Sequence, residues 1–298
     1  MRVCSACGSS RCTDVWVCQD CGSRPAVIDG FNAFAPDLAS ENSGFQESYF
    51  AELAALEARN FWFRARNDLI VWAMKTYVPD CQRFLEIGCG TGFVLSGIRS
   101  AYPNADLVGS EIFSAGLGFA AGRVASAEFY QMDARSIPFR DQFDAIGAFD
   151  VLEHIHDDAS VIAEVSRALR PNGRFVLSVP QHPALWSPQD DHAYHVRRYT
   201  STGLRDKLRT AGFEVIRITS FVSLLLPLML ASRARMRLRT SNEAFDAMGE
   251  LKMSPVANAV LGSIMRVERL LIRHGVSWPA GGSLLVVARK RTEIEGRG

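Results

Sequence analysis

Five short apolar runs follow one another along the middle of the chain, at positions 83–88, 105–111, 127–133, 143–151 and 174–180. Stretches with helical spacing separate most of them; before the fifth run, for example, Val161, Ile162 and Val165 fall on one helical face. Two later runs of strand length, 213–219 and 283–290, are separated by mainly helical residues. Strands that alternate with helices predict right-handed crossovers and an α/β fold with a doubly wound sheet.

The rest of the chain divides by composition. Residues 1–30 are rich in cysteine and polar side chains, which predicts a small separate module. Residues 31–44 hold Pro, Asn, Ser and Gly and predict a linker. Residues 45–298 are expected to form the large domain, in which 46–77 contain no proline or glycine and predict one or two helices. Within it, 220–282 predict a helical insertion before the last strand.

Length and composition exclude several protein classes. With 298 residues and 48% hydrophobic content, the chain can bury a large core. Its formal net charge of +1 gives no general attraction to nucleic acid. The first residues, MRVCSACG, lack the apolar segment of a secretory signal, and the longest apolar run, 221–231, is about half the roughly 20 residues that span a bilayer. We therefore expect a cytoplasmic protein whose cysteines stay reduced.

Three alternating glycines follow the first apolar run, in FLEIGCGTGF at 84–93. A phosphate-binding P-loop is excluded, because Phe93 and Val94 stand where Lys and Ser/Thr would follow its last glycine. The dinucleotide fingerprint Gly-x-Gly-x-x-Gly does not fit either, since Gly92 comes one residue early. In isolation the glycines also fit a tight strand-to-helix turn that binds no ligand.

An acid-x-Gly-x-Gly-x-Gly pattern begins at Glu86 and resembles motif I of the class I S-adenosylmethionine-dependent methyltransferases. Acids at the ends of the next two apolar runs, Glu111 and Asp133, match further positions of that family in the same order. The resemblance implies cofactor contacts from Glu86, Gly88, Cys89, Gly90, Gly92, Glu111, Ile112, Met132, Asp133, Ala134 and Phe149.

The resemblance also implies roles and a fold. Glu86 would attract the ammonium group of S-adenosylmethionine, Glu111 would bind both ribose hydroxyls, and Asp133 would read the adenine amino group. A carboxylate suits a diol because it accepts two hydrogen bonds at once. The similarity covers about residues 45–219 and the last strand. It implies a seven-stranded sheet in the order 3-2-1-4-5-7-6 with the last strand antiparallel.

Two Cys-x-x-Cys pairs lie near the start of the chain, with ten residues between them. They are Cys4, Cys7, Cys18 and Cys21. Each pair is followed by a glycine, which permits the tight turn that directs backbone N–H groups at thiolates. Four thiolates at this spacing predict a closed tetrahedral Zn²⁺ site in a zinc ribbon. A rubredoxin-like iron site and an unstructured tail with free thiols are the alternatives.

Acidic and imidazole side chains follow the fourth apolar run. Asp150, Glu153 and His154 resemble an acid-x-x-Glu-His string that holds a divalent metal in ubiquinone-pathway O-methyltransferases, although Asp150 replaces a longer acid. Methyltransferases with a Leu-Glu-His string that bind no metal are also known, so Glu153 has a purely structural alternative. These three residues are candidates for the substrate side of the site.

The segment 179–200 follows the fifth apolar run and carries three of the six histidines. His182, His192 and His195 are candidate bases, because imidazole can deprotonate a hydroxyl near neutral pH. Loops past the carboxyl ends of strands are where doubly wound folds bind ligands. Further candidates for substrate contact are Arg197, Arg198 and Tyr199. Alternatively, Asp190 and Asp191 pair with the arginines and tie the loop down.

Two other segments have unusual composition. Phe61, Trp62 and Phe63 precede Arg64 and Arg66, which fits a helix that covers the cofactor or one that is anchored to the core. The segment 221–239 joins an apolar stretch to Arg233, Arg235, Arg237 and Arg239. It fits peripheral contact with an anionic membrane, or burial against the domain or a second copy.

We therefore predict an S-adenosylmethionine-dependent methyltransferase that acts on a small or lipid-linked molecule, with oxygen as the acceptor atom and S-adenosylhomocysteine as the second product. One alternative is a nucleic-acid or protein methyltransferase that uses the cysteine module for recognition. Nucleic acid is disfavoured because FDVLEH replaces the Asn/Asp-Pro-Pro-Tyr/Phe string of base amino methylation. The other alternative is a binding module that keeps the cofactor fold without catalysis.

Overall fold

The structure is a computed structural model that describes residues 1–39, 48–238 and 253–292. Its strands are β1 (Ala26–Ile28), β2 (Phe31–Ala33), β3 (Arg83–Ile87), β4 (Asp106–Glu111), β5 (Glu128–Gln131), β6 (Phe143–Phe149), β7 (Leu169–Pro180), β8 (Phe213–Phe221) and β9 (Ser283–Lys290). Its α-helices are α1 (Ser48–Leu56), α2 (Phe61–Tyr77), α3 (Phe93–Ala101), α4 (Ser114–Arg123), α5 (Asp158–Ala168), α6 (Pro188–His192), α7 (Ser201–Thr210), α8 (Leu226–Leu238) and α9 (Pro255–Arg273). Single 3-10 turns lie at Pro36–Leu38, Leu152–His154 and Pro183–Leu185.

One sheet of nine strands runs through the described part of the chain, in the order β1-β2-β5-β4-β3-β6-β7-β9-β8. Strands β2, β5, β4, β3, β6 and β7 pair in parallel, and β9 is antiparallel to both β7 and β8. The predicted count of seven strands is wrong, and the predicted order is incomplete. It describes β3 to β9 alone, because the hairpin β1-β2 extends the sheet beyond β5.

The sheet has a hydrophobic core on each face, because successive side chains of a strand point to opposite sides. In β3, Phe84 belongs to one core and Leu85 to the other. Helices α2, α3, α4 and α9 contribute to the first core, and α5 and α7 contribute to the second. The doubly wound α/β architecture that the apolar runs predict is therefore present.

Polar side chains fix where several helices begin. The side chain of Asn60 accepts a hydrogen bond from the Trp62 N–H at 2.8 Å and caps α2. Asp157 and Thr200 cap α5 and α7 in the same manner. Such caps satisfy backbone donors that have no partner within the helix. The start of α2 matters most for function, because its first turn borders the cavity described below.

The N-terminal cysteine module packs against the edge of the sheet through Trp16, which is 3% exposed. The Trp16 ring makes edge-to-face contacts with Phe34, Tyr130 and Phe139, at centroid distances of 4.6, 5.6 and 5.3 Å. The range 31–44, predicted as a linker, instead contains β2 and the 3-10 turn at 36–38, and residues 40–47 lie outside the described residues. Strands of three residues are too short to produce a recognisable apolar run.

The predicted helical insertion, 220–282, contains α8 and α9. Helix α9 packs on α2, where the Phe61 N–H donates to Asn258 at 2.7 Å. Glu268 of α9 is fully buried and accepts hydrogen bonds from the N–H groups of Ser223 and Leu224, both at 2.7 Å. These bonds hold the turn between β8 and α8 against α9.

The apolar run 221–231 is divided between core and surface. Phe221 and Leu225 are buried, whereas Leu228 and Leu230 are 57% and 50% exposed. No helix in the described part of the chain is both long enough and apolar enough to cross a bilayer. Of the four arginines in the predicted membrane segment, Arg239 lies outside the described residues, as do the side chains of Arg235 and Arg237.

Trp16→Ala tests the contact between the cysteine module and the sheet. Because a buried indole is lost, we expect the free energy of unfolding to fall by about 3–5 kcal/mol in urea denaturation. Val15→Ala is the matched control, since Val15 is 76% exposed, and we expect a change within about 0.5 kcal/mol. Equal stability of the two variants would contradict the contact.

Candidate active site

The glycine loop connects β3 to α3 through backbone conformations that only glycine adopts readily. Gly88 has φ +64°, and a Cβ atom there would lie 2.6 Å from Cγ2 of Val151. Gly92 has φ +73°, and a Cβ there would lie 2.9 Å from the Cα of Ala120. A side chain at either position is excluded by both backbone strain and overlap. The loop therefore lies directly against the start of the turn after β6 and against α4.

A cavity of about 560 Å³ lies at the carboxyl ends of β3, β4, β5 and β6. This volume is in the range of small-molecule sites. Ten of the eleven predicted cofactor residues line it: Glu86, Gly88, Cys89, Gly90, Glu111, Ile112, Met132, Asp133, Ala134 and Phe149. Gly92 does not line the cavity. Asp150 and His154 line its other side, so the structure brings most of the predicted site together.

Glu111 links the end of β4 to the glycine loop. One carboxylate oxygen accepts a hydrogen bond from the Gly90 N–H at 3.0 Å, and the other accepts from the Ile112 N–H at 2.8 Å. Burial raises the pKa of Glu111, and the hydrogen bonds from these N–H groups oppose that rise. The side chain is 8% exposed and lines the cavity, so its position is fixed before any ligand arrives.

Glu86 lies deeper, at the end of β3, and is 2% exposed. Its Oε2 atom has no hydrogen-bond partner among the described residues. Burial raises its pKa well above the usual range, and the nearby carboxylates of Glu57 and Glu111 add to the rise, while the Arg66 guanidinium opposes it. A buried, unpaired carboxyl group that borders a cavity suits a ligand with an ammonium group.

Asp133 is already engaged at the end of β5. The Arg135 side chain donates to both Asp133 oxygens, at 3.0, 3.0 and 2.7 Å, and the Arg135 N–H donates at 2.8 Å. The predicted contact to an adenine amino group must therefore share the carboxylate with Arg135. The ionised carboxylate has about four acceptor positions, so sharing is chemically possible.

Helices α1 and α2 cover the cavity from the N-terminal side. Trp62 and Phe63 of the aromatic stretch line it, together with Arg66. Arg66 is 8% exposed, pairs with Asp150 at 2.6 Å and donates to the Phe149 carbonyl at 2.7 Å. The predicted covering role of this helix fits the geometry, because Arg66 fixes α2 to the end of β6.

Sequence reasoning missed the contact that holds the segment after α1 against the glycine loop. The Thr91 hydroxyl lies 2.7 Å from both Glu57 oxygens, and Arg123 of α4 donates to Glu57 at 2.8 Å. Glu57 is 6% exposed. The three residues are far apart in the sequence, and no local pattern connects them.

The turn after β6 forms the side of the cavity that carries Asp150 and His154. Asp150 has φ +57° and is held by Arg66, whereas Glu153 is completely buried. Burial raises the pKa of Glu153 well above the usual range, and the charge of Asp150 raises it further. Part of His154 faces the cavity, but surrounding protein atoms, and next the charge of His195, lower its pKa to about 4. His154 is therefore a neutral imidazole at neutral pH.

None of the three histidines predicted as bases lines the cavity. Nδ1 of His195 lies 2.9 Å from Asp190, and its ring lies 4.8 Å from the ring of His154. His192 contacts the Tyr49 hydroxyl at 2.5 Å. Nε2 of His182 is buried without a partner among the described residues. The His195 ring is thus packed against His154, which lines the cavity.

The candidates for substrate contact, Arg197, Arg198 and Tyr199, all have partners within the protein. Arg198 donates to Asp190 at 2.7 Å, and Arg197 pairs with Asp158 at 2.9 Å. The Tyr199 hydroxyl also donates to Asp158, at 2.7 Å. None of the three residues lines the cavity. These side chains tie the loop to the domain, much as the alternative based on ion pairs expected, although Asp158 replaces Asp191 as a partner.

The four cysteines of the N-terminal module converge. Their sulfur atoms all lie within 4.8 Å of one another, with Cys4 to Cys21 at 3.7 Å and Cys7 to Cys18 at 3.6 Å. Tetrahedral Zn²⁺ with bonds of about 2.3 Å puts sulfur atoms roughly 3.8 Å apart. The donor set and its spacing therefore fit a closed tetrathiolate metal site.

Comparison with known proteins indicates a methyltransferase domain. Residues 85–177 match the family described as "Methyltransferase domain". A probable S-adenosylmethionine-dependent methyltransferase of Mycolicibacterium smegmatis is 28% identical over 167 residues, which cover 55% of this chain and 63% of the relative. The O-methyltransferase cnsE of Penicillium expansum is 29% identical over 150 residues, which cover 46% of this chain and 54% of the relative.

A solved structure shares the fold. Phosphoethanolamine N-methyltransferase 2 of Haemonchus contortus, in complex with S-adenosyl-L-methionine, aligns with a TM-score of 0.57 and 19% identity, over 86% of this chain and 60% of that chain. This level of identity shows the fold alone. The chain spans less than two thirds of the length of the curated relatives described above. These findings support a methyltransferase domain, whose family match covers residues 85–177 of the chain.

Proposed function

We propose that the chain transfers the methyl group of S-adenosylmethionine to an oxygen atom of a small or lipid-linked molecule and releases S-adenosylhomocysteine. The observation that carries this proposal is the cavity itself, in which Glu86 and Glu111 flank a glycine loop at adjacent strand ends. When bound, the cofactor supplies an electrophilic methyl group on a sulfonium. The acceptor oxygen forms the new bond to that carbon, the bond from carbon to sulfur breaks, and the acceptor hydroxyl loses its proton.

The residues that bind the cofactor divide by the part of it they contact. Glu86 holds the ammonium group, because its buried Oε2 lacks a partner among the described residues. Glu111 binds the ribose hydroxyls with the acceptor positions that its backbone hydrogen bonds leave free. Met132 and Ala134 border the adenine ring, and Asp133 shares its carboxylate between Arg135 and the adenine amino group. Gly92 shapes the loop without contacting the ligand.

The acceptor lies between the covering helices and the turn after β6. Trp62 and Phe63 of α2 line the cavity, so they favour an acceptor with an apolar or aromatic portion. This apolar lining supports a lipid-linked acceptor. A curated relative named as an O-methyltransferase supports oxygen as the acceptor atom.

The two alternatives have less support. In the cysteine module, Arg2 pairs with Asp14 and Arg11 pairs with Asp20, both at 2.7 Å, which reduces the positive charge available for nucleic acid. A module that kept the fold only as a scaffold would not need both Glu86 and Glu111 at the cavity. Holding donor and acceptor in one cavity is itself a large source of rate enhancement.

Calorimetry with S-adenosylhomocysteine tests the cofactor site. Because burial raises the pKa of Glu86 in the free protein, and because an ammonium group favours the carboxylate, binding should release a proton at pH values below that raised pKa. The affinity should therefore rise with pH up to the pKa of the free protein. Buffers with different ionisation enthalpies measure this proton.

Glu86→Gln should bind about 10–100-fold more weakly and release no proton. Glu214→Gln, which changes an exposed carboxylate on β8, should bind like the wild type. A folded wild-type sample with no affinity for S-adenosylhomocysteine would disprove the proposed function. Proton release that persists in Glu86→Gln would contradict only the role proposed for Glu86, and the proposed function would stand.

The acceptor class is tested with methyl-labelled S-adenosylmethionine and fractionated cell extract. We expect the label in a fraction soluble in organic solvent, since the acceptor region of the cavity is apolar. We expect the methylated group to be an ether or ester, which mass spectrometry of the labelled product identifies. Glu111→Gln is the control for background transfer. Label that enters nucleic acid or protein instead would favour the alternative methyltransferase.

We further propose that Cys4, Cys7, Cys18 and Cys21 hold a structural Zn²⁺, which would fix the fold of the module. A mercurial that reacts with thiolates should release one Zn²⁺ per chain from the wild type, and Cys18→Ser should lose it. Cys12→Ser is the matched control, because Cys12 lies outside the cluster of four, and it should retain the metal. Iron with the visible spectrum of a tetrathiolate would support the rubredoxin-like alternative, and a folded module without metal would contradict both.

A further inference from the structure

Three metal-binding side chains converge at the acceptor side of the cavity. One ligand atom each from Glu153, His154 and His195 lie within 4.8 Å of one another. The rings of His154 and His195 are 4.8 Å apart and nearly perpendicular, at 76°. His154 lines the cavity, whereas Glu153 is fully buried behind it.

Two separate elements build this cluster. The 3-10 turn at 152–154 supplies Glu153 and His154, and the loop before α7 supplies His195. The Val196 N–H donates to the Glu153 carbonyl at 2.7 Å, and the Tyr199 hydroxyl, which donates to Asp158, also lies 3.2 Å from the Leu152 carbonyl oxygen. These bonds hold the loop against the turn, so the position of His195 is specified.

Nearby charges on Arg66 and Arg198 oppose the effect of burial on Glu153, but no side chain of the described residues forms a hydrogen bond with its carboxyl group. Its side chain has 0% exposure, and neither carboxylate oxygen has a hydrogen-bond partner in the described part of the chain. Buried polar groups are normally hydrogen-bonded or coordinate a metal, because desolvation without compensation is costly. The Glu153 carboxylate lies next to the imidazoles of His154 and His195, and all three groups can donate an electron pair to a metal ion.

His195 is oriented as a metal ligand would be. Its Nδ1 lies 2.9 Å from Asp190, so a metal ion would be bound through the other ring nitrogen, Nε2. Asp190 is itself fully buried and is held by Arg198 at 2.7 Å and by the Ser187 N–H at 2.9 Å. In metal sites, histidine ligands almost always direct their other nitrogen at such an outer carboxylate or carbonyl.

Asp150 does not belong to this cluster, although it precedes it in the sequence pattern. Arg66 pairs with its carboxylate at 2.6 Å. The group of three ligand residues therefore consists of one carboxylate and two imidazoles, rather than two carboxylates and one imidazole. Imidazole ligands suit Zn²⁺, Fe²⁺ and related transition metals, whereas Mg²⁺ and Ca²⁺ prefer oxygen.

We propose that Glu153, His154 and His195 bind a divalent transition-metal ion whose open coordination positions face the acceptor region of the cavity. Three protein ligands with open positions are typical of catalytic metal sites. A metal there lowers the pKa of a coordinated hydroxyl, so it would promote loss of the acceptor proton. This catalytic role rests on the proposed methyl transfer, but metal binding itself does not.

Cobalt titration of the full chain, with the cysteine site first filled with Zn²⁺, tests the proposal. We expect one further Co²⁺ to bind, with visible absorption bands and without the intense near-ultraviolet absorption of cobalt–thiolate bonds. Glu153→Gln and His195→Ala should each weaken this binding at least about tenfold. His192→Ala is the matched control, because His192 lies in the same loop outside the cluster, and it should bind Co²⁺ like the wild type.

No further Co²⁺ bound to the wild type would overturn the proposal, and so would equal affinities in Glu153→Gln and the wild type. Thermal unfolding shows whether each variant is folded. If His195→Ala does not fold, Glu153→Gln decides the question, because glutamine preserves the shape of the glutamate side chain. S-adenosylhomocysteine binding is measured on the same samples. If the chain binds S-adenosylhomocysteine but no further Co²⁺, only the metal site is disproved. If it binds the further Co²⁺ but no S-adenosylhomocysteine, only the proposed function is disproved.

Discussion

The close approach of the glycine loop to its neighbours is the constraint on which the rest of the site depends. At Gly88 the backbone lies against Val151, and at Gly92 it lies against Ala120 of α4, with no room for a side chain at either contact. Val151 immediately precedes the turn that carries Glu153 and His154. The cofactor side and the acceptor side of the cavity therefore share one contact, so a displacement of the loop would move both. Glu111 reinforces this arrangement, because its hydrogen bond from the Gly90 N–H ties the loop to the next strand.

Electrostatics around the cavity follow from an excess of buried acid. The charges of Glu57 and Glu111 raise the pKa of Glu86. The charge of Asp150 raises the pKa of Glu153 in the same way. Arg66 opposes this charge at both places, but it is a single cation and is already paired with Asp150. Burial of so many carboxyl groups is unfavourable unless ligands compensate it. The protein is thus arranged for positive charge at two positions, where we propose an ammonium group beside Glu86 and a metal beside Glu153.

Cavity residues at the ends of three parallel strands could be predicted from the sequence, because each belongs to a local pattern. Apolar runs mark the parallel strands, and each of Glu86, Glu111 and Asp133 stands at or just after the end of its own run. Because such ends meet along one edge of the sheet, their order in the chain predicts their proximity. The hairpin β1-β2 escaped prediction since strands of three residues have no detectable period. The Glu57–Thr91–Arg123 contact escaped it because nothing local connects those three positions.

The acceptor half depends on ion pairs that a local pattern does not assign. Arg197 and Arg198 are adjacent in the sequence and resemble a clamp for an anion, yet they pair with different buried acids, Asp158 and Asp190. Their effect on the site is indirect. Arg198 fixes Asp190, Asp190 orients His195, and the loop held in this way brings that ring beside His154. Arg198 therefore positions an imidazole instead of binding an anionic substrate. In the metal site that we propose, this imidazole donates an electron pair to the ion.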